Sequence, residues 1–507
     1  MLSVFCPEPT LPRLLPKIAI VFVVPATACD DVSVVFPEGG DSLDIAAGGV
    51  DVGDEEREPS PENPLRGSSL TINGDAEGLQ LGGGALLALP PTTTRPARLL
   101  LGGYGDSTNG TASGSLAVHT VGEENTVGYS DAETLMVGAA GTSFGCGGRA
   151  LHSHAMVAIG ACTRSAEAGE QMGAVYLFSY DTLEAGGVSW EQADGRIEGA
   201  VEFGGLGRAI ASGDFDGDGA VDIIVGAPDA DGGRGRIYVH ADVSSAPWQS
   251  ALDLSPLVRG TAGDDALGRS LLMDGDLTGD GYSDLIVCAP GWDVAGVPGA
   301  GACGVIAGGL ADSEDARLED QVVSTIYGSR FGDSLGDGTQ AVAVGHFLDT
   351  DRFTSDAPRS IAVGMPGSDG EAGAVLVVGP SDLDGYVSAT AATLRINGDG
   401  RFGHSLAALP GGGLLVGAPE FAEGGAAFAI VPDRIWMPSG EAIHASNVAD
   451  GIWIGANPNG RFGTRVATGH DIDNDRWPDV LIGAPGPTSA SPGSVTVGSL
   501  PDGWSID

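Results

Sequence analysis

Positive charge is scarce in this chain: 24 Lys and Arg stand against 68 Asp and Glu, a formal net charge of −44 over 507 residues. A field of that sign repels phosphate backbones and excludes nucleic acid as a partner, while it suits a protein that collects cations. Aromatic residues make up only 6% and charged residues 18%. No CxxC pair, Walker loop or HExxH motif occurs, which removes the usual zinc-finger, P-loop and metalloprotease signatures. The apolar run Ile18 to Val24 is seven residues long, whereas a membrane-spanning helix takes about 20. What the chain has in excess is Gly and Pro, 84 and 30 residues. Each Gly inside a helix costs about 1 kcal/mol relative to Ala, so a helical protein is disfavoured. The 42% hydrophobic content nevertheless exceeds what a disordered chain carries. An all-β protein with short strands and tight turns satisfies both.

The N-terminus reads as an address. Arg13 and Lys17 precede the apolar run, and Pro25-Ala26-Thr27-Ala28-Cys29 follows it. A basic patch, a short apolar stretch and small residues form a secretory signal over 1–28. An ordinary signal peptide would be cut near Ala28. The reading preferred here is a bacterial-type lipobox, Ala26-Thr27-Ala28-Cys29, with Cys29 lipidated, although Ala stands where Leu or Val is usual. Residues 29–67 read as an acidic, Pro- and Gly-rich tether: Asp30 to Arg66 holds 11 acids and 2 bases. Such sequence stays extended and solvated. Export permits disulfides, and the remaining cysteines fall into two local pairs. Cys146–Cys162 and Cys288–Cys303 are therefore expected, with zinc the poorer alternative.

From residue 68 to 507 the chain repeats seven times. A large apolar residue, any residue, then Gly recurs at Ile72/Gly74, Met136/Gly138, Ile197/Gly199, Val258/Gly260, Ile326/Gly328, Ile396/Gly398 and Trp453/Gly455, at intervals of 57 to 70 residues. Shortly after each comes a Phe-Gly or Leu-Gly pair: Leu81-Gly82, Phe144-Gly145, Leu206-Gly207, Leu267-Gly268, Phe331-Gly332, Phe402-Gly403 and Phe462-Gly463. Then an apolar run ends near Gly-Ala-Pro, as in Ile223-Ile224-Val225-Gly226-Ala227-Pro228 and Val480-Leu481-Ile482-Gly483-Ala484-Pro485. A fourth, alternating strand closes the unit, as in Gly235-Arg236-Ile237-Tyr238-Val239. Four strands in one order, seven times, predict a seven-bladed β-propeller of four-stranded antiparallel blades. A linear solenoid would need polar capping repeats instead.

These motifs resemble the FG-GAP repeat, which builds the N-terminal propeller of integrin α chains and of many bacterial surface proteins. Units 1, 2 and 6 are degenerate, and the resemblance rests mainly on units 3, 4, 5 and 7.

Acidic loops lie between the Phe-Gly and Gly-Ala-Pro elements. Unit 3 has Asp214, Asp216, Asp218 and Asp222 at positions 1, 3, 5 and 9, with the Ala220 carbonyl at 7. That oxygen cage suits Ca²⁺, and Gly219 permits the sharp turn. Unit 4 repeats it with Asp276, Thr278, Asp280, Tyr282 (carbonyl) and Asp284. Unit 7 has Asp471, Asp473, Asp475, Trp477 (carbonyl) and Asp479, with Arg476 where Gly is usual. Unit 5 has Asp349, Asp351 and Asp356 but Ser360 in the last place, and units 1, 2 and 6 lack the loop. The resemblance implies calcium in matching loops, in a structural role.

Catalytic signatures are weak. Gly141-Thr-Ser143-Phe-Gly145 and Gly332-Asp-Ser334-Leu-Gly336 match GxSxG but overlap the Phe-Gly element rather than a strand-to-helix elbow. Gly40-Asp-Ser42-Leu43 shows how easily Gly-rich sequence yields such patterns. His152 and His154 read as a polar loop, and Trp190, Trp248 and Trp292 as packing rather than sugar platforms. The expectation is a non-enzymatic, calcium-stabilised module that binds a protein or a glycan. It would be lipid-anchored to the membrane, at the outer surface or in the periplasm. A polysaccharide lyase or hydrolase and a structural subunit of an envelope complex are the rival readings.

Overall fold

A glycine forced into the left-handed region opens every blade and sets where its strands begin. The computed structural model describes residues 66–500, apart from 93–94, 122–125, 152–153, 163–172, 185–188, 200–203, 244–247, 251–255, 310–315, 349–358, 432–442, 473–477 and positions 295, 339, 384, 411 and 470. These residues belong to one compact unit, Pro59–Asp507; the unit Met1–Glu58 lies outside the described residues, and with it Cys29, the signal and most of the tether.

The described strands form seven sheets. In blade 3, Ile210–Gly213, Asp222–Ala227, Arg236–His240 and Pro256–Arg259 pair antiparallel in that order. The second strand carries the Gly-Ala-Pro motif and is covered on both faces. Asp222–Ala227, Leu285–Ala289, Ser360–Met365, Leu414–Ala418 and Asp479–Ala484 are buried at every residue. This is why these segments read as continuous apolar runs. The first strands of blades 1 to 7 are Leu86–Leu89, Phe144–Leu151, Ile210–Gly213, Ser270–Met273, Val342–Gly345, Ser405–Ala408 and Arg465–Thr468. Each touches the next, and the last touches the first, so they close a ring. Six of them line a central cavity of about 300 Å³.

The sheets are offset from the sequence units by one strand. The apolar-x-Gly element, expected to open its own unit, is the outer strand of the preceding blade: Gly195–Glu198, with Ile197, pairs with Ala174–Ser179 of blade 2. The same offset closes the ring, because Arg66–Asn73 pairs antiparallel with Ser494–Ser499 and completes blade 7 with an N-terminal strand. That strand opens at Arg66, two residues inside the expected tether. Five blades gain a fifth strand, parallel to the fourth and contributed by the following blade. Trp248–Ser250 beside Gly195–Glu198 is one instance.

Neighbouring sheets meet glycine to glycine. A Cβ added to Gly102, Gly160, Gly226, Gly364, Gly417 or Gly483 would lie 2.0, 2.1, 2.2, 1.8, 2.0 or 2.1 Å from the carbonyl oxygen of Gly145, Gly207, Gly268, Gly403, Gly463 or Gly82. Each partner is the glycine of the next blade's Phe-Gly or Leu-Gly pair, and Gly483 to Gly82 joins blade 7 to blade 1. Those pair glycines have φ between 83° and 96° in all seven units, a region that L side chains avoid. The preceding apolar residue bridges the previous blade, as Leu206 does to Gly173 and Phe402 to Gly373. Around these contacts the sheet faces interdigitate. Ala211, Ile224 and Ile237 of blade 3 pack with Leu271, Leu285 and Val287 of blade 4, and each buried aliphatic side chain of this size contributes about 1.5–3 kcal/mol.

Blade 5 corrects one expectation. Leu335-Gly336, not Phe331-Gly332, fills the motif position: Leu335 is fully buried and its N–H donates to the Ala300 carbonyl at 3.1 Å, whereas Phe331 is 80% exposed. Cys288 replaces the glycine in blade 4, and it faces Gly336. Both expected disulfides are present, Cys146–Cys162 and Cys288–Cys303. The second joins directly opposed residues of adjacent strands.

Gly364 is outside the left-handed region, so alanine there tests the sheet contact alone. Gly364→Ala is expected to lose about 1–3 kcal/mol by overpacking. Gly263→Ala, whose Cβ would meet nothing closer than 3.6 Å, should stay within about 0.5 kcal/mol. Urea denaturation of both variants measures the difference.

Candidate metal centres

The acidic loop of blade 3 joins the end of the first strand to the start of the second. Its shape follows from carboxylates collecting the N–H groups of their own turn. Asp214 accepts from Gly217 at 2.8 Å and Gly219 at 3.1 Å, Asp216 from Asp218 at 3.1 Å, and Asp218 from Ala220 at 2.7 Å. Gly217 and Gly219 turn the chain with φ of 80° and 87°. The result gathers Asp214, Asp216 and Asp218, each with a carboxylate oxygen within 4.8 Å of the others. Three anionic oxygens converging at a solvent-facing turn repel one another, and a hard divalent cation relieves that repulsion. A donor set of carboxylates and carbonyls fits Ca²⁺ and offers nothing soft for zinc.

Asp222, expected as the ligand at position 9, stands apart from this trio. It is fully buried and accepts N–H groups from Phe215 at 2.8 Å, Asp216 at 3.3 Å and Asp242 at 2.9 Å. Burial, aided by the Asp216 charge, raises its carboxyl above the usual carboxylate range against the pull of those donors. Its observed work is to fasten the loop to the sheet.

Blade 4 repeats the design. Asp276 accepts from Gly279 at 2.6 Å, Asp280 at 3.1 Å and Gly281 at 2.8 Å, and Asp280 accepts from Tyr282 at 2.9 Å. Asp284 is the buried fastener, taking N–H groups from Leu277 at 2.6 Å, Thr278 at 2.7 Å and Gly308 at 3.0 Å. The Thr278 hydroxyl points to Asp284 at 3.4 Å. The two loops also touch: the Tyr282 ring covers Gly217, where a Cβ would lie 2.2 Å away, and Gly309 N–H donates to the Phe215 carbonyl at 2.7 Å.

In blade 7, Asp479 plays the fastener, accepting from Ile472 N–H at 2.6 Å and Ser499 Oγ at 2.9 Å. Asp471 is described; Asp473, Asp475 and Trp477 lie outside the described residues, as do Asp349, Asp351 and Asp356 of blade 5. Ser360 occupies the fastener's place in blade 5 and is buried. Among the described residues, neither Ser143 nor Ser334 bonds a histidine; Ser334 Oγ donates to the Gly332 carbonyl at 3.4 Å. Trp190 stacks edge-on against Tyr176 and Trp292 packs on the blade 3–4 core, so both are packing residues. His152 lies outside the described residues.

The fastener and the trio separate by experiment. Asp222→Ala strands buried N–H groups at about 1–3 kcal/mol each, so it should destabilise the protein equally in calcium and in EDTA. Asp218→Asn should leave stability in EDTA within about 0.5 kcal/mol of the parent and weaken only the response to calcium. Thermal unfolding in both buffers reads both.

The FG-GAP repeat family model matches residues 206–240, 267–302 and 462–497. These spans run from the Leu-Gly or Phe-Gly pair into the third strand of blades 3, 4 and 7, the three with the complete acidic pattern. The chain is 31% identical over 194 residues to integrin alpha-4 of Xenopus laevis, covering 35% of this chain and 17% of that protein. It is 32% identical over 127 residues to integrin alpha-3 of Cricetulus griseus, covering 24% and 11%. The matched part therefore spans less than a fifth of either relative. With the repeat found in three units and its glycine contacts running around a closed ring of seven sheets, the chain is an FG-GAP, integrin-alpha-like β-propeller.

Proposed function

We propose that this propeller is an exported, calcium-stabilised binding or adhesion module for a protein or glycan, tethered at the cell surface through a lipid on Cys29. The observation that carries the calcium part is the convergence of Asp214, Asp216 and Asp218 within 4.8 Å. In blade 3 these three and the Ala220 carbonyl would hold the ion; in blade 4 Asp276, Thr278, Asp280 and the Tyr282 carbonyl would. Asp471, Asp473, Asp475 and the Trp477 carbonyl are the corresponding set in blade 7. A bound calcium supplies charge neutralisation and a cross-link within the turn. The chain's own residues do the rest: the Gly217 and Gly219 turns aim the carboxylates, and Asp222, Asp284 and Asp479 hold the loops to their sheets.

The binding reading is supported by the likeness to integrin alpha chains, and the export reading by the two disulfides and the N-terminal signal pattern. No helix among the described residues is long and apolar enough to cross a membrane. We read the protein as a non-enzyme: among the described residues, neither GxSxG serine is bonded to a histidine.

Calcium at a hundredfold excess over its Kd should stabilise the fold by about 2.7 kcal/mol per site, and EDTA should remove that gain. A calorimetric midpoint indifferent to chelation would sink the calcium reading. A pull-down from membranes with and without EDTA, beside a glycan array, tests the binding role. Turnover of a polysaccharide by the purified chain would overturn the non-enzyme reading.

A further inference from the structure

Arginines gather at one entrance of the central channel, in a chain with nearly three acids for every base. Arg208 and Arg269 directly follow the motif glycine and precede the first strands of blades 3 and 4; Asp337 and His404 hold the same place in blades 5 and 6. Arg401 and Arg461 precede the motif in blades 6 and 7, and Arg465 begins the first strand of blade 7. This is the end of the first strands opposite the acidic loops.

Inside this cluster one carboxylate serves two guanidiniums. Asp337 lies 3.5 Å from Arg269 Nε on one side and 3.5 Å from Arg401 Nη2 on the other. Glu371 meets Arg401 at 3.3 Å and Glu420 meets Arg461 at 3.2 Å. Arg465 is only 4% exposed, and its Nη1 donates to the Cys146 carbonyl at 3.4 Å. Among the described residues, Arg465 Nε and His404 Nδ1 are buried without a hydrogen-bond partner, while Nε of Arg269 and of Arg401 have only ion-pair contacts, to Asp337 at 3.5 Å and to Glu371 at 3.3 Å. Burial, with Arg401, Arg269 and Arg461 nearby, pushes the His404 imidazole down to about 4. Arg208 and Arg461 both act on the Tyr104 phenol. At physiological salt the Debye length is about 8 Å, so acids farther away on the surface are screened from this cluster.

We propose that this entrance binds an acidic side chain, Asp or Glu, presented by a protein partner. The carboxylate takes up guanidinium donors that Asp337 shares out too thinly, in charge-assisted hydrogen bonds that Arg favours for planar oxyanions. The proposal rests on the reading of the chain as a protein-binding module and names the chemistry of its partner.

Fluorescein-labelled pentaglutamate is titrated into the full chain at 0.15 M salt, with pentaglutamine as the neutral control and fluorescence anisotropy as the readout. Pentaglutamate is expected to bind and pentaglutamine not. Arg269→Gln with Arg401→Gln should weaken binding by about tenfold or more, the usual scale for charge-assisted bonds. Asp337→Asn should tighten it several-fold, a gain that structural damage does not produce. Loss of affinity in Asp337→Asn, or equal affinity in the parent and the double variant, overturns the proposal. Displacement of the peptide by inorganic phosphate or oligogalacturonate at matching concentration overturns the assignment to a protein side chain. A pull-down that recovers a protein partner while pentaglutamate fails to bind defeats this site and leaves the module reading standing. Tight peptide binding with no recoverable protein partner defeats the module reading, and with it the protein source of the carboxylate.

Discussion

Backbone-to-backbone contact between adjacent sheets is the constraint on which the propeller depends. The second strand of one blade and the opening turn of the next approach so closely that a single methyl group at Gly364 would sit 1.8 Å from the Gly403 oxygen. Only glycine fits on the strand side, and only glycine readily takes the positive φ on the turn side. The two halves of the motif are therefore one contact seen from two blades. Repeated around the ring, it accounts for 13 of the glycines and for the fixed order of the motif. Blade 4 is the exception: Cys288 stands where glycine is usual, and its side chain is drawn into a disulfide with the strand partner Cys303.

Strand direction then distributes the chemistry. Every first strand runs from near the motif glycine to the loop before the second strand. Acidic loops consequently collect at one end of the ring, and residues following the motif glycine collect at the other. The blade 3 and blade 4 loops lean on each other through Tyr282 and Gly217, so order in one turn supports order in its neighbour. At the opposite end, Asp337 spaces the guanidiniums of two flanking blades. A strongly acidic protein thereby carries its acidic loops at one end of the ring and a cluster of arginines at the other.

The number of blades, the all-β class, the acidic loops and both disulfides were legible because each is local and recurs at a fixed place in a repeat. Phase was not. Nothing within a unit says that Ile197 pairs with Ala174–Ser179 of the preceding sheet rather than with strands of its own, since the offset is decided by packing around the ring. Phe331-Gly332 has the better motif spelling, yet burial selects Leu335-Gly336 four residues later. Asp222 shares the spelling of a ligand with Asp214, and the three backbone donors that tie its carboxylate to the sheet are visible only in the fold. The basic entrance draws on positions from 208 to 465, a distance over which sequence carries no signal until the sheets are in place.

Closure of the ring by its two chain ends is the claim on which the geometry stands, and a covalent cross-link tests it most directly. Thr71 of the N-terminal strand lies opposite Thr496 of the C-terminal sheet. With cysteine at both positions, mild oxidation of the folded monomer should yield a peptide joined through residues 71 and 496, detectable by mass spectrometry. Folded monomer that forms no such link, or links position 71 to another strand, would contradict the closed seven-sheet ring.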